Sequence, residues 1–336
     1  MIYIHIPFCR SFCTYCDFYS EIVPGDDEFG RYADSLLSEI EKRRAEIEAT
    51  LGTNTLYIGG GTPSVLPLDI LRRITAALPY GPYDEFTVEA NPDDIVRRGP
   101  GYVEGLLELG VNRISMGVQS LSDTILEWMN RRHDSDAARR ALSILRESGV
   151  SNISADVIFG LSQLDNLTLE QTLDGILQSR PEHISAYQLS IEEGSALCRM
   201  VQQGRYSEAS DEQCRSQYEL ICSRLEAAGY HHYEISNWAL PGREAVHNSA
   251  YWSRQPYVGL GPGAHSLQGS NVRSWNSEQL YGWSTAGQET LSEEEIREET
   301  LMLGLRTDRG ADGMVIPQKD WFVSDGIIAD IISRRS

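Results

Sequence analysis

The chain is predicted to be an α/β protein: an open, partial (β/α)6 barrel followed by a smaller C-terminal α/β part. Three observations carry this. Six short apolar runs alternate with amphipathic stretches over residues 2–189, and strand–helix alternation at that spacing implies a parallel sheet. Six units are too few to close an eightfold barrel. Polar or glycine-rich signatures fall at the C-terminal end of nearly every run, where barrel sites are built. Near residue 230 the alternation stops, and five of the six tryptophans lie beyond it. The expected division is 1–230 for the barrel and 231–336 for the C-terminal part.

The strands are expected at Ile2–Ile6, Thr55–Ile58, Phe86–Glu89, Arg113–Val118, Ile153–Phe159 and His183–Leu189. Helical spacing of apolar residues marks Phe29–Ala49, Tyr102–Leu109, Ser135–Glu147 and Leu167–Gln178 between them. Beyond 230 a helix is expected over Glu293–Leu305. Ser292 opens it with Glu295 three residues on, a capping-box pattern.

Bulk properties restrict the function. The 336 residues are 41% hydrophobic, enough for a real core. No run of 18 apolar residues suggests a membrane span, and no basic-then-apolar leader opens the chain. Cys198, Cys214 and Cys222 are scattered and form no disulfide framework. A reducing cytoplasm is therefore expected. The formal charge of -20 argues against nucleic acid as a partner, because phosphate binding needs a basic face.

The first strand delivers Cys9, Cys13 and Cys16, spaced C-x3-C-x2-C. Thiolates are soft ligands for iron–sulfur clusters and for zinc, and spacing alone leaves both open. Zinc would need a fourth ligand, with His5 or Asp17 at hand. A [4Fe–4S] cluster held by three cysteines would keep one iron open. After the second strand, Gly59-Gly60-Gly61-Thr62-Pro63 forms either a tight strand-to-helix turn or a backbone cradle for a ligand. Glu89 closes the third strand, Gln119 the fourth, and Asp156 lies in the fifth. His247 stands in His247-Asn248-Ser249-Ala250-Tyr251-Trp252, beside two large aromatics. That is ordinary packing or a flat apolar wall with an imidazole for heme iron.

The YIHIPFC opening and the cysteine spacing resemble the radical S-adenosylmethionine (SAM) family. The closest resemblance is to the branch of oxygen-independent coproporphyrinogen oxidases and HemW-type heme chaperones. The resemblance implies a [4Fe–4S] cluster on Cys9, Cys13 and Cys16, with SAM on the open iron and reductive cleavage to a 5′-deoxyadenosyl radical. It assigns Tyr3, Tyr15, Gly60, Gly61, Thr62, Glu89, Gln119, Arg131 and Asp156 to SAM. Arg131 lies in MNRRH, similar to L-G-R-x-H. Asp156 lies in DVIFGL, similar to D-L-I-F-G-L-P with Ser162 at the proline. HNSAYW is similar to the H-N-x-x-Y-W motif of the chaperones, which implies heme on His247. His265 is a second candidate imidazole, and proximity in sequence to His247 offers Arg243 or Arg254 for a propionate. The oxidases carry a further cysteine where this chain has Phe18, which favours the chaperone over porphyrinogen decarboxylation. The resemblance further implies an acceptor hemoprotein, a homodimer, contact with the membrane surface, and a helical end longer than the stretch after Leu305.

Overall fold

The computed structural model describes residues 1–335 apart from 24, 26, 51 and 80. Six parallel strands form in sequence order: β1 (Ile2–Ile6), β2 (Thr55–Gly60), β3 (Glu85–Ala90), β4 (Arg113–Gln119), β5 (Ile153–Phe159) and β6 (His183–Gln188). Each expected strand is present, shifted by at most two residues at an end. The helices Ser135–Glu147 and Asn166–Gln178 also lie where the apolar spacing put them. The expected Phe29–Ala49 helix is broken at Arg43 into Asp27–Lys42 and Arg44–Glu48.

Alternation along each strand sorts the residues into two layers. Ile2, Ile4, Ile6, Leu56, Ile58, Val88, Ile114, Met116, Val118, Ala155 and Val157 are buried in one continuous apolar core. The intervening residues are polar: Tyr3, His5, Tyr57, Glu85, Thr87, Glu89, Arg113, Ser115, Asp156, His183 and Ser185. Period-two alternation puts this second set on the opposite, concave face of the sheet, where hydrogen bonds join members on different strands. A one-residue slip would exchange the two faces, so the register is firmly specified.

The chain beyond 230 extends both edges of this sheet. β7 (His231–Glu234) and β8 (Asn237–Ala239) form a hairpin, and β8 pairs antiparallel with β6. β9 (Val258–Leu260) pairs parallel with β1, in register Ile2↔Val258 and Ile4↔Leu260. The nine-stranded order is β9-β1-β2-β3-β4-β5-β6-β8-β7. A separate antiparallel sheet holds His265–Gln268, Val272–Asn276 and Thr285–Thr290. The helix Glu293–Gly304 starts with the expected capping box, both reciprocal bonds of Ser292 and Glu295 being made. Among the described residues no helix is long and apolar enough to cross a membrane.

Candidate functional site

The three cysteines lie on a loop pinned at its base and along its length. At the base, Phe8–Cys9 pairs with Glu21–Ile22. Further out, the Thr14 amide donates to Met129 O at 3.0 Å and the Thr14 hydroxyl to Trp128 O at 2.9 Å. Asn130 Nδ2 donates to Phe12 O at 2.7 Å, and the Leu197 amide donates to Thr14 O at 2.8 Å. The loop therefore sits against the segment after β4. All three thiols are free; Cys9 is buried, and Cys13 and Cys16 are half-buried.

Burial pushes Cys9 up, partly offset by hydrogen bonds from Thr62 and Ser20. Burial pushes Cys16 up to about 11, and the charges of Cys13 and Cys9 add to the effect. The thiols thus sense one another, and loading a metal centre must displace their protons. A guanidinium donor and a hydroxyl already face the sulfurs. Arg131 Nη1 lies 3.3 Å from Cys13 Sγ, and Thr62 Oγ1 lies 3.4 Å from Cys9 Sγ. Arg131 is itself held by Gly117 O at 2.6 Å, and burial pushes Tyr15, beside Arg131 and Cys13, upward.

His5 does not serve as a fourth ligand for zinc. Its Nε2 donates to the Tyr19 carbonyl at 2.8 Å, which makes Nδ1 the acceptor for the Tyr3 hydroxyl at 3.0 Å. Neither nitrogen is open. Among the described residues no three His, Cys, Asp or Glu side chains stand close enough to hold a single metal ion. A cubane cluster asks something different, since each thiolate takes its own iron corner.

Next to the cysteines, the glycine run packs under β1. The Gly61 amide donates to Ile6 O at 2.8 Å. A Cβ on Gly61 would lie 2.8 Å from Phe8 O and 3.1 Å from Cys9 Sγ. Glycine is required here for close approach, and the backbone remains bare beside the sulfur. Glu89 holds the same run from β3. Its carboxylate accepts from the Gly60 amide at 3.1 Å and the Tyr57 hydroxyl at 2.7 Å. Burial raises Glu89 to about 7, with the charge of Asp156 adding and the two hydrogen bonds opposing. Asp156, also raised by burial, accepts from Ser115 Oγ at 3.3 Å. Gln119 takes the left-handed conformation, φ 64°, where β4 ends in a bulge. Gly60, Glu89 and Gln119 thus lie at the ends of β2, β3 and β4, Tyr3 and Asp156 lie within β1 and β5 on the polar face, and Tyr15, Gly61, Thr62 and Arg131 lie on the loops beyond the strands. Tyr57 was not singled out from sequence, although it stands two residues before Gly59 on the same face.

His247 is placed otherwise than expected. The short helix Val246–Trp252 packs against the starts of β2 and β3, away from the cysteines. Glu85 accepts from the Val246 and His247 amides at 2.8 and 3.0 Å, a carboxylate at a helix N-terminus. The His247 ring is buried, with Nδ1 2.8 Å from Thr55 Oγ1 and Nε2 3.1 Å from Tyr251 OH. Burial lowers it to about 3. Neither nitrogen is open to a heme iron, so the expected axial role of His247 is not met by this geometry. His247→Ala is expected to destabilise the fold by about 2–4 kcal/mol, through a cavity and two stranded hydroxyls. A denaturant midpoint unchanged from wild type would contradict that. Arg254 is also committed elsewhere, to Glu299 at 2.7 Å and Ser270 O at 3.1 Å. Arg243 is exposed in the turn after β8.

A cavity of about 710 Å³ lies beside this helix, between the ends of β5 and β6, the β7–β8 turn and residues 306–325. Its walls include Tyr187, Tyr251, Trp252, Trp321 and Phe322, with Arg306 among the polar members. Three lining residues carry buried polar atoms without a protein partner: Arg306 Nε, Trp252 Nε1 and Asn237 Oδ1.

Comparison with known proteins places this architecture. The Radical SAM superfamily model matches residues 3–176, more than half of the chain. Coproporphyrinogen III oxidase (HemN) from Escherichia coli, a radical SAM enzyme, superposes with a TM-score of 0.78. It is 21% identical, and the match covers 91% of this chain and 75% of that one, a likeness of fold. The heme chaperone HemW of Bacillus subtilis is 34% identical, over 98% of this chain and 89% of that protein. The heme chaperone HemW of Mycobacterium tuberculosis is 33% identical, over 92% and 82%. The chain belongs to the radical SAM superfamily and, within it, to the family of the HemW heme chaperones.

Proposed function

We propose that this protein is a heme chaperone: it holds heme and passes it to an acceptor hemoprotein. The observation that carries the reading is the aromatic-walled cavity, in a chain whose relatives are heme chaperones. Its volume lies within the range of ordinary ligand sites. Flat faces suit a porphyrin ring, and Arg306, which pairs with Asp325 through Nη2 at 2.6 Å, keeps Nε without a protein partner and is assigned to a propionate. Arg306 replaces Arg243 and Arg254 in that role.

Cys9, Cys13 and Cys16 are assigned to a [4Fe–4S] cluster. Tyr3, Tyr15, Gly60, Gly61, Thr62, Glu89, Gln119, Arg131 and Asp156 are assigned to SAM. When bound, cluster and SAM would supply one-electron chemistry at the open iron. The chain's own part is to position them: Arg131 and Thr62 donate toward sulfur, and Glu89 fixes the Gly60 amide. In this reading residues 1–230 form the SAM-binding part, and 231–336 supply most of the heme cavity, completed by the ends of β5 and β6. A cytoplasmic setting, a homodimer and contact with a membrane surface complete the proposal.

Phe18, in the position of the oxidases' further cysteine, is exposed and brings no sulfur. Anaerobically reconstituted protein is therefore expected to take up heme with a shifted Soret band. It is not expected to convert coproporphyrinogen III to protoporphyrinogen IX with SAM and a reductant. Turnover without heme uptake would replace the chaperone with the oxidase.

A further inference from the structure

The cavity beside the helix Val246–Trp252 has aromatic walls but no histidine, cysteine or methionine among its lining residues. A heme held there must find its iron ligand among oxygens. Several lining oxygens are spent. Tyr218 donates its hydroxyl to Ile235 O at 3.0 Å, Glu234 is held by Asn237 and the Ser236 amide, and Asp325 pairs with Arg306. Tyr251 differs. Its hydroxyl lies 3.1 Å from His247 Nε2, and the other nitrogen of that ring is fixed by Thr55 Oγ1 at 2.8 Å.

We infer that Tyr251 is the residue that bonds the iron of ferric heme, with His247 as the hydrogen-bond partner of its oxygen. The inference rests on the heme-binding reading above. Phenolate is a known axial ligand of heme iron, and its anionic oxygen suits the ferric state. The step is an exchange without redox change. The phenol O–H bond breaks, an O–Fe(III) bond forms, and the proton leaves to water. The imidazole stays neutral throughout. The Thr55 hydroxyl either donates to or accepts from Nδ1, so both tautomers of His247 are accommodated. With the proton on Nε2, the ring donates to the phenolate oxygen and steadies its charge. This gives the buried imidazole a role that needs no open nitrogen, and it joins His247 and Tyr251 of HNSAYW as ligand and support.

The test is a titration of the full chain with ferric heme and, separately, with metal-free protoporphyrin IX. Wild type is expected to bind heme one to one with a phenolate-to-iron charge-transfer band and phenolate modes in resonance Raman. Tyr251→Phe should lose both signatures and bind ferric heme about tenfold more weakly or worse, while its affinity for metal-free protoporphyrin stays unchanged. Conservation of the melting temperature in Tyr251→Phe checks its fold. His247→Gln should shift the charge-transfer band without abolishing it. The inference is overturned if Tyr251→Phe keeps the wild-type spectrum and affinity. It is overturned equally if heme and metal-free porphyrin weaken together, which would make Tyr251 a packing residue. A histidine-type spectrum lost in His265→Ala would move the ligand to His265 and leave the chaperone reading intact. No specific heme uptake by wild type would remove both.

Discussion

Cys13→Ala is expected to abolish the iron–sulfur absorbance of anaerobically reconstituted protein, whereas alanine at Cys198, Cys214 or Cys222 should leave it intact. The contrast follows from placement. Cys13 faces Arg131 Nη1 at 3.3 Å, on a loop held by bonds to residues 128–130 and 197. That backbone frame does not depend on the Cys13 side chain, so the loop should keep its place while losing a ligand. Two thiolates hold a cubane poorly, and the expected effect is near-complete loss. Cys214 and Cys222 sit on the helix Asp211–Ala227, and burial raises both thiols, which makes them inert packing residues. Full cluster occupancy in Cys13→Ala would sink the assignment. Arg131→Met offers a graded companion: the cysteines stay, but the donor that favours a thiolate is gone, and reconstitution should be slower and less complete.

Much of this arrangement was legible in the sequence because each part of it is local. The strands of the barrel announce themselves by apolar runs, and their polar alternates mark the concave face. The cysteine loop, the glycine run and the capping box of Ser292 all lie within a few residues of the features that explain them. What was not legible depends on partners far away in the chain. His247 reads as an imidazole beside aromatic rings. Its burial is set by Thr55 and Glu85, more than 160 residues earlier, and no local pattern shows that. The strand Val258–Leu260 was hidden by the glycine at its centre. That glycine allows the close packing, since a Cβ on Gly259 would lie 2.0 Å from His265 O. The break at Arg43 was equally invisible. Its guanidinium reaches Gly259 O at 2.7 Å and Ser266 Oγ at 3.0 Å, tertiary contacts that no helical periodicity encodes. The cavity is assembled from six separate segments of chain and has no signature in any one of them.

Glu89→Gln should show that the carboxylate proposed for the SAM site weakens the fold. The folded-state pKa of Glu89 is raised by burial to about 7 from an ordinary 4.5. A carboxyl group raised in this way binds its proton more tightly in the folded than in the unfolded state. Stability contributed by the neutral form is therefore complete below pH 4.5 and is lost as pH rises toward 7. At 1.36 kcal/mol per pH unit, the loss is on the order of 3 kcal/mol for this one group. The glutamine variant carries no ionisable group and should not lose it. It does forfeit one acceptor, because an amide nitrogen cannot receive the Gly60 N–H, at a cost of about 1 kcal/mol. Near pH 5 the variant should be the less stable protein, and near pH 8 the more stable one, in the absence of SAM. Asp156, raised in the same direction, leaves a residual slope in both. SAM binding should move the other way, weakening by about 1–3 kcal/mol through loss of a charge-assisted contact. Chemical denaturation at the two pH values, paired with calorimetric SAM titration, separates the effects. Parallel pH slopes for wild type and variant would mean that Glu89 does not ionise in this window. Unchanged SAM affinity would remove it from the SAM site.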